Sequence, residues 1–383
     1  MKIPFNKIYF TGNEIEYITQ ALKMGSISGD GYFNNKVITL LEKRLMDTKV
    51  FTTTSGTHSL ELAMLLIDIK PGDEVIMPSY TFTSTANAVM LYGGVPVFVD
   101  IYENSLSIDV EEVEKNINDR TKAIIPVHYG GIGCEMDGIM KLAEKHNLYV
   151  VEDAAQALGS KYLDKSLGTW GHIGCYSFHS TKNYISGEGG ALSINIKDSK
   201  LIERAEIIRQ KGTNRNRFLK GEIDKYSWVD IGSSYAPSDV LMAMLYSQLL
   251  DMDEIILKRE KLVKTYIYHL QKFVDTGIIT SMTNIPKDYK SNYHNFYIIL
   301  NNEKTRDYIM DSLKENNIQA YIHFVPLHSS PMGASLGYNP LDLPITERVG
   351  NTLLRLPLYT DMKQEEIDYV IERLCKVLEG YHG

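Results

Sequence analysis

Cysteine is scarce in this 383-residue chain: Cys134, Cys175 and Cys375 are the whole complement. They form no CxxC pair and no ligand-like spacing with histidine, which excludes a disulfide scaffold or a structural zinc and fits a reducing compartment. Long apolar runs are missing too. No stretch could span a bilayer, and the start "MKIPFNKIYF" lacks the uninterrupted apolar core of a signal peptide. We therefore expect a soluble cytoplasmic protein that does not bind membranes. A basic excess is also absent, with 40 Lys+Arg against 48 Asp+Glu and a net charge of −8, which excludes a dedicated nucleic-acid binder. No repeat, no low-complexity segment, no Walker A sequence and no GxGxxG after the first strand appear. The last absence removes the fingerprint of a nicotinamide dehydrogenase.

What is present is alternation. "EVIMP" (74–78), "VPVFVD" (95–100), "KAIIPVH" (122–128) and "LYVVED" (148–153) are short, apolar and rich in Val and Ile, as buried strands are. Helical patterns lie between and before them at 57–68, 83–92, 109–117 and 136–147. The order predicts βαβ crossovers and a mostly parallel sheet covered by helices on both faces. Past Asp239 one long periodic helical stretch leads to a strand at 294–300, a helix at 305–317, a strand at 318–323 and a last amphipathic helix near 362–379. These predict a large α/β domain over 1–245 and a smaller α+β domain over 246–383.

In open α/β sheets ligands sit beyond the carboxyl ends of the parallel strands. Asp153 closes "LYVVED", with Gln156 three residues on; His128 and Tyr129 close "KAIIPVH"; Ser79 to Phe82 follow "EVIMP". "TTTSGTHSLE" (52–61) sets Gly56 and Thr57 at the start of a helix, where free N–H groups and the positive dipole end suit an anion. A plain Ser/Thr N-cap reads the same way. Asp153 suits either a helix cap or a carboxylate paired with a buried cation. His128, His172 and His179 suit structural roles, and Phe82 suits a core position or a stacking platform.

Lys182 lies in "SFHSTKNYISGEGGAL" (177–192). A lone lysine in a glycine-rich turn is ordinarily solvent-facing. Its neighbours change that reading, because Gly187, Gly189 and Gly190 let the backbone turn tightly beside something bulky. A cleft that desolvates the amine and lowers its pKa frees a nucleophile for a Schiff base. Pyridoxal 5′-phosphate (PLP) is the cofactor that calls at once for such a lysine, an acid for its ring nitrogen and a phosphate seat.

Essentially end to end, the chain resembles the DegT/DnrJ/EryC1/StrS sugar aminotransferases, PLP enzymes of the aspartate aminotransferase fold (fold type I). The resemblance rests on "GDGYFNNKVITLLEKRL", "TTSGTHSLELAMLLIDIKPGDEVIMPSYTFTSTANAV", "VEDAAQALGS", "GTWGHIGCYSFHSTKNYISGEGGAL", "RAEIIRQKGTNR" and "HFVPLHSSP". It implies that Lys182 holds the cofactor as a Schiff base and shuttles the proton. Asp153 would hold the pyridine nitrogen protonated, Gln156 contact the ring hydroxyl and Phe82 stack on the ring. Gly56, Thr57 and Ser177 would bind the phosphate, and His179 line the sugar site. The family's dehydratases carry His in place of this lysine, so Lys182 argues against that branch.

Many members carry GxNxRM where this chain has "GSSYAPS" (232–238), so Ser234 stands where an Asn reaches the cofactor phosphate of the neighbouring subunit, and Ala236 replaces an arginine. The block "KGTNRNRFLKGEIDKYSWVDIGSSY" most resembles members that aminate C4 of dTDP-4-keto-6-deoxyglucose with L-glutamate. The product would be dTDP-4-amino-4,6-dideoxygalactose, for a surface polysaccharide such as enterobacterial common antigen. The resemblance also implies a homodimer with active sites at the interface. Arg215 and Arg217 are candidates for the nucleotide's diphosphate, as against a solvated loop, and Tyr129 for the sugar. A 3-amino-sugar or UDP-sugar aminotransferase, and a non-catalytic regulatory protein of the same fold, are the rival readings.

Overall fold

A computed structural model describes residues 1–46 and 48–381. Seven strands form the main sheet in the spatial order Lys49–Thr53, Gly190–Ile194, Ile173–Ser177, Tyr149–Asp153, Thr121–Ile124, Glu74–Pro78 and Val95–Val99. Gly190–Ile194 runs antiparallel to both its neighbours, and the other contacts are parallel. Six strands therefore end at one edge. Along them side chains alternate between two cores: Ile76, Ile124 and Val150 enter one, Val75, Met77, Ala123 and Val151 the other. Burial on both faces is why these strands read as unbroken apolar runs.

The expected strands and helices of the first 200 residues are all present, with ends displaced by a few residues; the strand anticipated over 122–128 occupies Thr121–Ile124. The block "GDGYFNN" has a local reason. Asp239 accepts the N–H groups of Phe33 (3.2 Å) and Asn34 (2.7 Å), capping the helix Tyr32–Arg44 from across the chain.

Two expectations fail beyond residue 239. The single long helix is two, Asp239–Leu250 and Met252–Asp275, broken at Asp251 (φ −103°, ψ 16°). The segment 318–323 is no strand; it makes isolated bridges, Ile3 with Ile318 and Tyr321 with Arg355. A three-stranded antiparallel sheet, Ile279–Met282, Phe296–Leu300 and Leu353–Leu356, has its own core against the helices Met252–Asp275, Glu303–Glu315 and Gln364–Glu379. A further cluster, including Tyr80, Tyr129, Tyr297 and Leu353, joins this sheet to the first.

Candidate active site

The shared strand edge and the second sheet enclose a cavity of about 620 Å³. Gly56, Thr57, Phe82, Asp153, Gln156, Ser177, His179 and Lys182 all line it. Ser55 caps the helix Gly56–Leu66 by accepting the His58 N–H at 3.0 Å, leaving the N–H groups of Gly56 and Thr57 without helical partners. A Cβ on Gly56 would come within 2.7 Å of the Ser177 Cβ, so only glycine lets this helix start touch the strand end. Thr57 Oγ1 bonds Ser84 Oγ at 2.7 Å.

Asp153 is buried at the end of its strand. Thr85 Oγ1 donates to its Oδ2 at 2.8 Å and the Ala155 N–H to its Oδ1 at 3.2 Å. Each oxygen keeps a lone pair for a ligand. Gln156 Oε1 accepts the Gly130 N–H at 2.8 Å, which holds the side chain in place. Phe82 carries 59 % of its surface exposed, a free aromatic face within the cavity.

Lys182 sits in a tight loop closed by Ser180 N–H to Gly187 O (3.0 Å) and by its own N–H to His179 O (2.8 Å). Desolvation lowers its amine to about 8; Arg355 pushes the same way and Asp153 opposes. About a tenth of the amine is then neutral near pH 7, a few-hundred-fold more than for an ordinary lysine. His179 Nδ1 bonds Thr181 Oγ1 at 2.9 Å beside the mouth.

Four expected residues stand apart. Tyr129 is buried behind the wall and bonds His323 Nδ1 at 3.0 Å. Ser234, Arg215 and Arg217 do not line this chain's cavity; all three are exposed, and Arg217 pairs with Glu222 at 3.2 Å. Ala236 lies against Gly29, where a Cβ would approach it to 2.6 Å, so the segment packs closely around the smaller residue.

Sequence reasoning missed the far wall: Arg259, His294, Asn295, His323 and Arg355. Arg259 is committed to backbone, donating to Tyr293 O (2.8 Å) and His294 O (2.6 Å). Burial, then the surrounding cations, hold His294 and His323 well below the usual histidine range, so both are neutral. The available signal was a charge inside an apolar run, the arginine of "LLRLPLY".

A partly neutral lysine amine, a buried carboxylate with lone pairs to spare, an exposed ring and a bare helix start define a cleft that holds pyridoxal phosphate. The residues fit that cofactor group by group. The chain matches the DegT/DnrJ/EryC1/StrS aminotransferase family over residues 9–375, and it belongs to that family. It is 32 % identical to the spore coat polysaccharide biosynthesis protein SpsC of Bacillus subtilis (99 % of this chain, 97 % of that one). It is 33 % identical to the GDP-perosamine synthase of Caulobacter vibrioides (96 % of each). Among solved structures, Spr1654 of Streptococcus pneumoniae in its apo-form superposes with a TM-score of 0.92 at 25 % identity, covering 99 % of this chain and 98 % of that one, and has also been solved in PLP- and PMP-forms. The protein is thus a PLP-dependent sugar aminotransferase of fold type I.

Proposed function

We propose that the protein moves the amino group of L-glutamate to C4 of dTDP-4-keto-6-deoxyglucose, giving dTDP-4-amino-4,6-dideoxygalactose for a surface polysaccharide. The observation that carries the chemistry is Lys182, whose amine is lowered to about 8 in a cavity it shares with Asp153. The resemblance of residues 211–235 supports the choice of sugar. One C–N bond breaks in the donor and one forms at the sugar; the donor carbon is oxidised to a ketone as it gives up the two electrons that reduce the sugar carbonyl carbon. Bound pyridoxal phosphate supplies the electron sink and carries the nitrogen between the two halves.

This chain's residues do the rest. Lys182 takes the proton from the donor carbon and returns it to the sugar carbon. Asp153 keeps the ring nitrogen protonated. Gln156, its Oε1 committed to Gly130, has Nε2 left to donate to the ring hydroxyl. Phe82 stacks on the ring, while Gly56, Thr57 and Ser177 hold the phosphate. Ser234 reaches the cofactor site of a second copy in a homodimer, and its exposure in the single chain agrees with that role. Arg215 and Arg217 meet the diphosphate, with His179 toward the sugar; Tyr129, buried behind the wall, supports His323 instead. The enzyme works in the cytoplasm.

The GDP-perosamine synthases among the relatives favour a second reading, a GDP-linked keto sugar as acceptor. Purified enzyme offered dTDP-4-keto-6-deoxyglucose, its 3-keto isomer and a GDP-linked 4-keto sugar, each with glutamate, decides by NMR of the product. Amination of the 3-keto isomer or the GDP sugar alone would reject the first reading. Lys182→Ala abolishes turnover; near-normal turnover would reject the catalytic assignment.

A further inference from the structure

We propose that Glu188 and His179 together grip a hydroxyl of the acceptor sugar, the one on the carbon beside the reacting carbonyl. The inference deepens the keto-sugar reading of this cavity and rests on it.

The two residues stand at opposite ends of the loop that carries Lys182. Gly187 takes φ 89°, a left-handed turn, and bridges back to His179, which sets Glu188 beside the histidine. Ser186 Oγ donates to the Glu188 carbonyl at 2.8 Å, and the Phe178 N–H donates to the Gly189 carbonyl at 2.8 Å. The backbone that presents Glu188 is therefore held on both sides. Both side chains line the cavity and both stay open, 43 % of His179 and 63 % of Glu188.

The His179 ring has a defined proton. The Thr181 N–H donates to its Nδ1 at 3.3 Å, so the ring hydrogen is on Nε2. Nε2 faces Glu188 Oε1 across 3.6 Å, too far for a direct hydrogen bond. Among the described residues no Lys or Arg pairs with this carboxylate. A donor and a carboxylate opposed across such a gap fit a hydroxyl set to one side, about 2.8 Å from each. It accepts from the ring and donates to the carboxylate. The amino donor's carboxylates and the nucleotide's diphosphate have no hydrogen to give and would meet a like charge. An exposed pair at this distance adds little to stability. Its place in the cavity gives it a ligand to serve.

Position picks the hydroxyl. His179 O accepts the Lys182 N–H at 2.8 Å, so the pair stands at the base of the loop whose amine serves the reacting carbon. In a 4-keto sugar the hydroxyl nearest that carbon is on its ring neighbour, C3. The 2-hydroxyl is one carbon further, and the diphosphate lies across the ring.

The test uses holoenzyme carrying Glu188→Gln, which keeps the size and loses the charge, or Glu188→Ala. Each half-reaction is followed separately in the visible spectrum, glutamate converting the resting cofactor and the keto sugar restoring it. Both variants should leave the glutamate half-reaction within about twofold of wild type. Glu188→Ala should raise the half-saturating concentration of the sugar about 10- to 100-fold, and Glu188→Gln less. Wild type should lose a similar factor when hydrogen replaces the 3-hydroxyl, and Glu188→Ala should no longer tell the two sugars apart. An equal loss in both half-reactions, full discrimination by Glu188→Ala, or a loss tied to the 2-hydroxyl overturns the proposal. Should glutamate convert the wild-type cofactor and no keto sugar restore it, the keto-sugar reading fails. Calorimetry with dTDP-6-deoxyglucose and its 3-deoxy form, which needs no turnover, then still decides on Glu188: equal affinities in wild type overturn its role.

Discussion

Lys182 and Asp153 share one electrostatic problem, since the amine must be neutral to act while the carboxylate beside it favours the charged form. Burial wins, and the amine falls from 10.5 to about 8. Raising the pH through about 8 should therefore speed cofactor uptake by the apoprotein. An inflection near 10.5 in the rate against pH would contradict the geometry. Because the folded value lies below the unfolded one, this group also makes folding stability rise with pH between about 8 and 10.5. Replacing Asp153 with Asn removes the opposing charge and should move the inflection below 8. Behind Asp153, Thr81 Oγ1 and Thr85 Oγ1 lie 2.8 Å apart, and Thr85 donates to the carboxylate. Thr85→Val should cost about 1–3 kcal/mol in denaturant unfolding, with Thr85→Ser nearly neutral. At this scale the sequence was legible where residues cluster at strand ends. Arg355 escaped because a lone arginine on a strand carries no spacing signal until a second element is laid beside it.

Among the elements, the contact between the helix Gly56–Leu66 and the strand Ile173–Ser177 sets the phosphate seat. Gly56→Ala places a Cβ 2.7 Å from that of Ser177. It should cost about 1–3 kcal/mol and weaken cofactor binding, measured as a dissociation constant, while Ser177→Gly on the same chain should recover stability. Strands and helices of the main sheet were legible because two-sided burial and amphipathic periods are strong local signals. The break at Asp251 was not: "LLDMDE" holds neither Gly nor Pro, and Met252 and Ile255 beyond the bend still pack in the core of Leu245 and Leu249, the second core beginning at Leu262. Segment 318–323 has the composition of a strand, yet between Ile3 and Arg355 it makes only single bridges.

At the scale of the molecule, the segment 218–231 exposes Phe218, Leu219, Tyr226, Trp228, Val229 and Ile231, with Trp228 at 81 %. An apolar patch of that size calls for a cover, and a second copy is the cover that would also carry Ser234 to a cofactor site. Sedimentation should give a dimer, and Trp228→Lys should shift it toward monomer with loss of cofactor affinity; a monomeric wild type that binds cofactor normally would refute this.

The cavity's two walls also differ in age. Lys182 leaves the ribosome 173 residues before Arg355, an interval of roughly 10–35 s at ordinary rates of synthesis. Residues from both ends of that interval line the cavity in which burial lowers the amine to about 8. The nucleophile is thus made early, and the cavity around it is complete only when the chain almost is.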